Sequence, residues 1–161
     1  MTYDAQLMKK IGIDIFSGAG GLSLGGAMAG IKVRYAIEVN PHAAKSFELN
    51  HKGAKVICGD IRDVKATDFL NKDEEVFIIM GGPPCQGFSM SNTMSRNMDN
   101  PNNLLFKEFV RLVSEIKPRW FVLENVWGMT KMNNGETIEM IKHCFEEIEP
   151  GYKVKWKVLW A

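Results

Sequence analysis

Chemistry in this chain starts from Cys85, set in Gly81-Gly82-Pro83-Pro84-Cys85-Gln86-Gly87-Phe88-Ser89. The stretch follows the apolar run Val76-Phe77-Ile78-Ile79-Met80, which reads as a buried strand. Two glycines and two prolines stop that strand and set a turn. Cys85 then lies just past the carboxyl end of the strand, where open α/β sheets carry ligands and chemistry. A thiolate is a strong nucleophile once its pKa is lowered. A free cysteine can also be only a small apolar core residue, so other residues must decide. Glu124 closes a second apolar run, Trp120-Phe121-Val122-Leu123. An apolar surround from that run would keep the acid protonated and able to donate a proton. A nucleophile beside such an acid suits attack on an electron-poor ring that needs protonation to accept it.

Three further strand ends describe a binding pocket. Ser17-Gly18-Ala19-Gly20-Gly21 is a glycine-rich turn at the start of a helix, where backbone can approach a ligand closely. The third glycine of the dinucleotide pattern is replaced by Ser23, which disfavours a nicotinamide cofactor. Glu38 lies 20 residues beyond Gly18, at the end of a second strand, and suits the hydroxyls of a ribose. Asp60 ends a third strand, where it suits an adenine amino group. Each acid alone could equally be a solvated loop carboxylate. Together they describe a nucleoside pocket with no demand for a phosphate clamp.

The elements that must position these residues are an alternating series. Strands are expected at Ile11–Phe16, Val33–Glu38, Lys55–Cys58, Val76–Met80 and Trp120–Leu123. Helices are expected from Leu22 to Ala29, stopped by Gly30, and from Pro41 to Asn50, with Asn40 as N-cap and Pro41 in the first helical position. Two amphipathic helices follow, Leu104–Ile116 and Thr137–Glu147. The first carries an apolar face of Leu105, Phe109, Leu112 and Ile116, and Pro118 ends it. Val154, Trp156, Val158 and Trp160 alternate with Lys153, Lys155 and Lys157, a period of two that predicts a sixth strand with a solvated lysine face. Gln86–Asn103, 18 residues without a clear period, reads as a functional loop. The series implies an α/β fold with a doubly wound, mostly parallel sheet.

Composition narrows the classes. The 161 residues suit one domain, and 45% hydrophobic with 24% charged residues is ordinary for a globular protein. A net charge of +1 gives no bulk signal for nucleic acid or membrane, so a nucleic-acid footprint must be local or lie on another chain. Cys58, Cys85 and Cys144 include no close pair, against a disulfide framework or a thiolate zinc site. Reduced thiols suit a cytoplasmic protein. No apolar run reaches the roughly 18 residues that span a bilayer. His42, His51 and His143 lack ligand spacing and read as surface residues; no metal is expected. A zinc nucleobase deaminase would need a second cysteine three residues after Cys85, and that position is Phe88.

Phe16-Ser17-Gly18-Ala19-Gly20-Gly21, Gly82-Pro83-Pro84-Cys85-Gln86-Gly87-Phe88-Ser89 and Glu124-Asn125-Val126 resemble the signature motifs of the DNA cytosine-5 methyltransferases. Glu38-Val39-Asn40, Gly59-Asp60-Ile61 and Asn103-Leu104-Leu105-Phe106 are similar to further family motifs, in the same order. The resemblance covers nearly the whole chain. It implies a Rossmann-like methyltransferase sheet and S-adenosylmethionine as methyl donor. Phe16, Gly18, Gly20 and Gly21 would line the methionine and ribose, Glu38 would take the ribose hydroxyls, and Val39 would lie against the adenine. Asp60 and Ile61 would read the adenine edge, with Pro84 and Leu105 also at the cofactor. The target would be a cytosine flipped out of double-stranded DNA. Cys85 would attack C6 while Glu124 holds or protonates N3, and Gln86–Asn103 would close over the DNA. The Gly87 that follows Cys85-Gln86 looks more like the DNA enzymes than their RNA-methylating relatives.

Departures from the family pattern accompany these matches. Asn100 and Asn102 stand where the family often has Asp and Arg. Lys157–Ala161 looks like the strand before the family's arginine-bearing motif, and neither that motif nor a target-recognition region follows. The resemblance therefore implies the catalytic part of a restriction–modification methylase, incomplete across 1–161, working with a second polypeptide or a missing C-terminal part. The alternative is a non-catalytic S-adenosylmethionine-binding homologue or partner subunit, which the intact Cys85 and Glu124 disfavour.

Overall fold

A computed structural model describes residues 10–84, 104–149 and 151–160. Its centre is a five-stranded sheet: β1 (Ile11–Ile15), β2 (Lys32–Glu38), β3 (Lys55–Cys58), β4 (Ile78–Gly81) and β5 (Trp120–Leu123). The order is β3-β2-β1-β4-β5, with every pairing parallel. Order reverses between β1, which leads outward to β2, and β4, so the crevice above β1 and β4 is the switch point where such sheets take ligands. β1 is buried along its whole length, as expected of a central parallel strand covered on both faces.

Among the described residues four helices flank the sheet: α1 (Gly21–Met28), α2 (Pro41–Asn50), α3 (Leu104–Ile116) and α4 (Glu136–Glu146). Their ends follow local chemistry. Gly30 takes φ 78° just beyond α1, a conformation glycine adopts without penalty. The Asn40 side chain accepts from the amides of His42 and Ala43 at 2.9 and 3.3 Å, with Pro41 behind it. α3 buries Phe106, Phe109, Leu112 and Val113 fully and Leu105 and Ile116 in part. The expected stripe is thus turned by about one residue, because Phe106 and Val113 meet the aromatic core. There Phe121 stacks on Phe145 at 4.1 Å, and Phe109 meets Phe145 edge-on at 5.9 Å.

One expected element does not form. Residues 151–160 belong to no strand. Val154 packs against the core, whereas Trp156 and Trp160 are exposed. Alternation makes a run compatible with a sheet, but a strand exists only when a neighbour pairs with it, and none does among the described residues. Three short 3-10 segments, Ile61–Asp63, Ala66–Asp68 and Trp127–Gly135, went unread because they carry no hydrophobic period. No helix among the described residues is long and apolar enough to cross a membrane. Cys85 and the Gln86–Asn103 loop lie outside the described residues.

Candidate cofactor and catalytic site

The glycine turn leaves β1 through strained backbone. Phe16 has φ 59°, a left-handed conformation rare for an aromatic residue. Gly18 follows at φ 53°, and its amide donates to Glu38 Oε2 at 2.8 Å. Glu38 Oε1 accepts from the Asn40 amide, also at 2.8 Å. Both carboxylate oxygens are therefore fixed by backbone, one on each side of the end of β2. Each keeps a lone pair for a further donor. Cβ atoms built on Gly18 and Gly21 meet nothing within 4 Å. The turn is thus an open cradle floored by a fixed carboxylate, which fits a nucleoside cofactor approached by backbone.

Gly20 does something else. A Cβ there would come 2.2 Å from the His51 ring, and its φ is 95°. His51 Nε2 bonds the Gly20 carbonyl at 2.9 Å, and the ring lies 4.4 Å from that of Phe47. The side of Gly20 that would carry a Cβ faces α2, and His51 is a half-buried tie between α1 and α2, not the free surface residue expected. His42 and His143 are exposed. Among the described residues no cluster of three or more His, Cys, Asp or Glu is set to hold a metal.

Asp60 caps the 3-10 turn Ile61–Asp63. It accepts from the Arg62 amide and from Arg62 Nε, each at 2.9 Å, and also pairs with Arg62 Nη2. These Arg62 contacts hold its carboxyl down at about 2. An adenine amino group would share these oxygens with Arg62, whose side chain is 56% exposed. Ile61 is buried in the core rather than open to the crevice. Its carbonyl, with that of Val64, accepts from Arg111 Nη2 at 3.0 and 2.9 Å. Arg111 also bonds Glu108 and Glu115 on its own helix, so α3 holds the Asp60 turn in place. Val39, beside Glu38, is 65% exposed, an apolar surface at the mouth of the cradle. Leu105 is half-buried at the start of α3.

Sequence reasoning missed Asp14, the buried acid in the middle of β1. Ser23 Oγ donates to its Oδ2 at 2.5 Å, while Asp14 Oδ1 and Ser17 Oγ have no partner among the described residues. Burial pushes the Asp14 carboxyl up to about 6, against the bonds from Ser23 and with a smaller push from Glu38. Ser23 stands where a third glycine was looked for, and its hydroxyl explains the departure. An acid inside an otherwise apolar strand was the available signal.

The ends of β4 and β5 are joined closely. Glu124 N donates to Gly81 O at 3.0 Å. A Cβ on Gly82 would lie 2.9 Å from Glu124 Oε2, so the acid lies over a glycine that leaves it room. Asn125 Nδ2 donates to Pro83 O at 2.8 Å and ties down the turn that runs through exposed Pro84 toward Cys85. Glu124 itself is exposed, so β5 does not supply the apolar surround expected for it. The reason is geometric: Phe121 and Leu123 face the α3–α4 core, and Trp120 and Val122 face away from it. The structure thus brings Phe16, Gly18, Gly21, Glu38, Asp60, Pro84 and Glu124 to the carboxyl edge of one sheet.

Comparison with known proteins gives this edge a family. The family model for C-5 cytosine-specific DNA methylase matches residues 11–161. Type II methyltransferase M1.HphI of Haemophilus parahaemolyticus is 42% identical over 150 residues, 91% of this chain and 40% of its own. Type II methyltransferase M.AquIA of Picosynechococcus is 38% identical over 138 residues, 83% of this chain and 55% of its own. A crystal structure described as a DNA modification methyltransferase encoded within an E. coli prophage superposes with a TM-score of 0.68 at 36% identity, covering 83% of this chain and 37% of that one. S. pombe Dnmt2 shares the fold at a TM-score of 0.58 and 22% identity, over 84% of this chain and 40% of its own. The chain spans about 40% of the length of the first of these relatives. With the signature turns on one sheet edge and the family model matched from β1 onward, the chain belongs to the C-5 cytosine-specific DNA methylase family.

Proposed function

We propose that this chain is the cofactor-binding and catalytic portion of a DNA cytosine-5 methyltransferase of a restriction–modification system. The observation that carries the reading is the Asn125–Pro83 bond, which sets the turn leading to Cys85 beside Glu124 and across the crevice from the cradle. The family's methyl donor is S-adenosylmethionine. When bound it supplies an electrophilic methyl group. Gly18 and Gly21 leave backbone room for it, Phe16 lines the turn, Glu38 orients ribose hydroxyls, and Val39 covers the adenine. Asp60 takes the adenine amino group, with Ile61, Pro84 and Leu105 as neighbours. Gly20 shapes the turn against His51 and lines the methionine and ribose with its backbone.

The substrate is a cytosine extruded from double-stranded DNA, since a stacked base cannot reach Cys85. The Cys85 thiolate bonds C6 while Glu124 hydrogen-bonds or protonates N3, so that negative charge does not build on the ring. With S-adenosylmethionine bound, its sulfonium–methyl bond would break as the methyl passes to C5, leaving S-adenosylhomocysteine, and loss of the C5 proton to water would then let the bond from C6 to Cys85 break. Exposed Glu124 gains its contact with N3 once DNA or further polypeptide covers it. A second polypeptide, or further chain carrying target recognition, supplies that cover, and the assembly works in the cytoplasm.

Two measurements test this. Calorimetry on residues 1–161 should register S-adenosylmethionine binding, weakened about tenfold or more by Glu38→Ala, a loss near 1.4 kcal/mol. Unchanged affinity in the variant removes the pocket assignment. In the complemented enzyme, duplex DNA carrying 5-fluorocytosine should form a covalent adduct, because fluorine cannot leave as a proton does. Cys85→Ser should abolish it; an adduct that persists places the nucleophile elsewhere.

A further inference from the structure

The acid assigned to the adenine amino group is held by a fork from its own turn. Asp60 Oδ1 accepts from the Arg62 amide and from Arg62 Nε, each at 2.9 Å, while Oδ2 pairs with Arg62 Nη2. A carboxylate oxygen has room for about two donors. Oδ1 is therefore filled, and Oδ2 keeps one acceptor position. Two parallel side-chain bonds also stop the carboxylate from turning, as a guanidinium fork does and a single ammonium does not.

The backbone beneath this pair is fixed separately. Gly59 N donates to Glu38 O at 3.0 Å and ties the turn to the end of β2. Asp63 N donates to Asp60 O at 3.0 Å, and Val64 N to Ile61 O at 3.2 Å. Arg111 Nη2 reaches the Ile61 and Val64 carbonyls from α3. With the main chain held, the freedom left to Asp60 is rotation of its side chain, and Arg62 removes it. The Arg62 side chain is 56% exposed, and the hydrogen bonds it makes among the described residues go to Asp60. Asp63 and Glu108 add a smaller electrostatic pull. The pair closes over Ile61 alone, so holding it costs little chain entropy. A ligand can take the open position on Oδ2 without displacing the fork.

Purines differ at the group that would meet this oxygen. Adenine offers a donor, the 6-amino group. Hypoxanthine offers an acceptor, the 6-oxo group, and carries its donor on N1. A pinned carboxylate with one open oxygen takes the first and repels the second. A carboxylate free to turn can swing to N1–H and accept from either base.

We propose that Arg62 is a positioning residue for cofactor selection: its fork pins Asp60 so that the one open acceptor position on Oδ2 admits a 6-amino purine and excludes a 6-oxo purine. Arg62 acts through Asp60 and does not itself touch the cofactor. The inference deepens the proposed function and rests on the placement of adenine at Asp60.

Calorimetry on residues 1–161 tests it with two probes, S-adenosylhomocysteine and its deaminated counterpart S-inosylhomocysteine. The wild-type chain should prefer the first by about a hundredfold, since a site built around a hydrogen bond rejects a ligand that cannot make it. Arg62→Ala should cut the preference to about tenfold or less while leaving thermal unfolding unchanged. Arg62→Lys should do the same, because it restores the charge without the fork. Equal weakening of both ligands would reduce Arg62 to a structural part. Tighter binding of S-adenosylhomocysteine by Arg62→Ala would make Arg62 a competitor for Asp60. A wild-type preference in Arg62→Lys would assign the effect to charge alone. Each of these three results overturns the proposal. Asp60→Asn separates the proposal from the reading beneath it. A preference that collapses in Asp60→Asn but persists in Arg62→Ala overturns the role of Arg62 alone. A preference unchanged in Asp60→Asn removes adenine from Asp60, and this proposal with it, while the Cys85 adduct would be unaffected.

Discussion

The two flanks of the sheet hold their acids in different ways. On the β1–β3 flank, Glu38 has both oxygens taken by backbone amides, and Asp60 is tied to an arginine two residues away. On the β4–β5 flank, Glu124 is exposed, and one side-chain bond, Asn125 to Pro83, holds the turn toward Cys85. The carboxylate of the first flank is fixed over a shorter stretch, Gly18 and Glu38 being 20 residues apart, although Arg111 braces the Asp60 turn from 50 residues away. The second joins residues 42 apart and leaves Trp120 and Val122 uncovered. A pocket for a small molecule can be finished by local backbone, whose closure entropy is small. A site for a flipped base, as proposed for the second flank, would need surfaces that arrive with the substrate or with more polypeptide.

The comparison breaks most completely where the flanks meet. A Cβ at Gly81 would lie 2.0 Å from Ile15 O, across the β1–β4 seam. Gly81→Ala should cost at least about 3 kcal/mol in urea denaturation. A loss below about 1 kcal/mol would mean that the seam yields and that the flanks are less firmly joined than the geometry indicates.

Asp14 sharpens the picture of the first flank. Its carboxyl is raised from 3.8 to about 6 in the fold by burial. A raised acid stabilises the fold below its unfolded pKa, and that contribution is lost as pH climbs through the folded value. The shift corresponds to roughly 3 kcal/mol. Asp14→Asn removes the titration, so its stability relative to wild type should rise by up to that amount between about pH 4 and pH 7. Parallel curves for the two proteins would show that Asp14 is not desolvated as its place in β1 implies.

Smaller effects separate the flanks residue by residue. Asn125→Ala should cost about 1 kcal/mol, the net worth of one hydrogen bond, and should speed amide exchange at Glu124 while leaving Gly18 unchanged. Equal acceleration at Gly18 would show the two flanks moving as one. Arg62→Ala should let the Asp60 carboxyl rise from about 2 toward 3.8, followed by NMR titration, with little change in global stability. An unmoved Asp60 would place its stabilisation in the backbone of the 3-10 turn.

The sequence by itself determined the order of the elements and the parallel sheet, and it pointed to the five strand ends proposed to carry chemistry. Those signals are local: the apolar run of β1, Asn40-Pro41 opening α2, Gly30 closing α1, and the two prolines after β4. Tertiary structure decided the rest. It paired Asp14 with Ser23, set Gly20 against His51 and braced the Asp60 turn with Arg111, contacts that depend on which elements become neighbours. It also left 153–160 outside the sheet despite a clean alternation of side chains. Periodicity reports which faces a backbone can offer. Whether a strand or a pocket forms depends on a partner across space, because hydrogen bonds and burial are made between elements, and no single stretch of chain contains both sides of them.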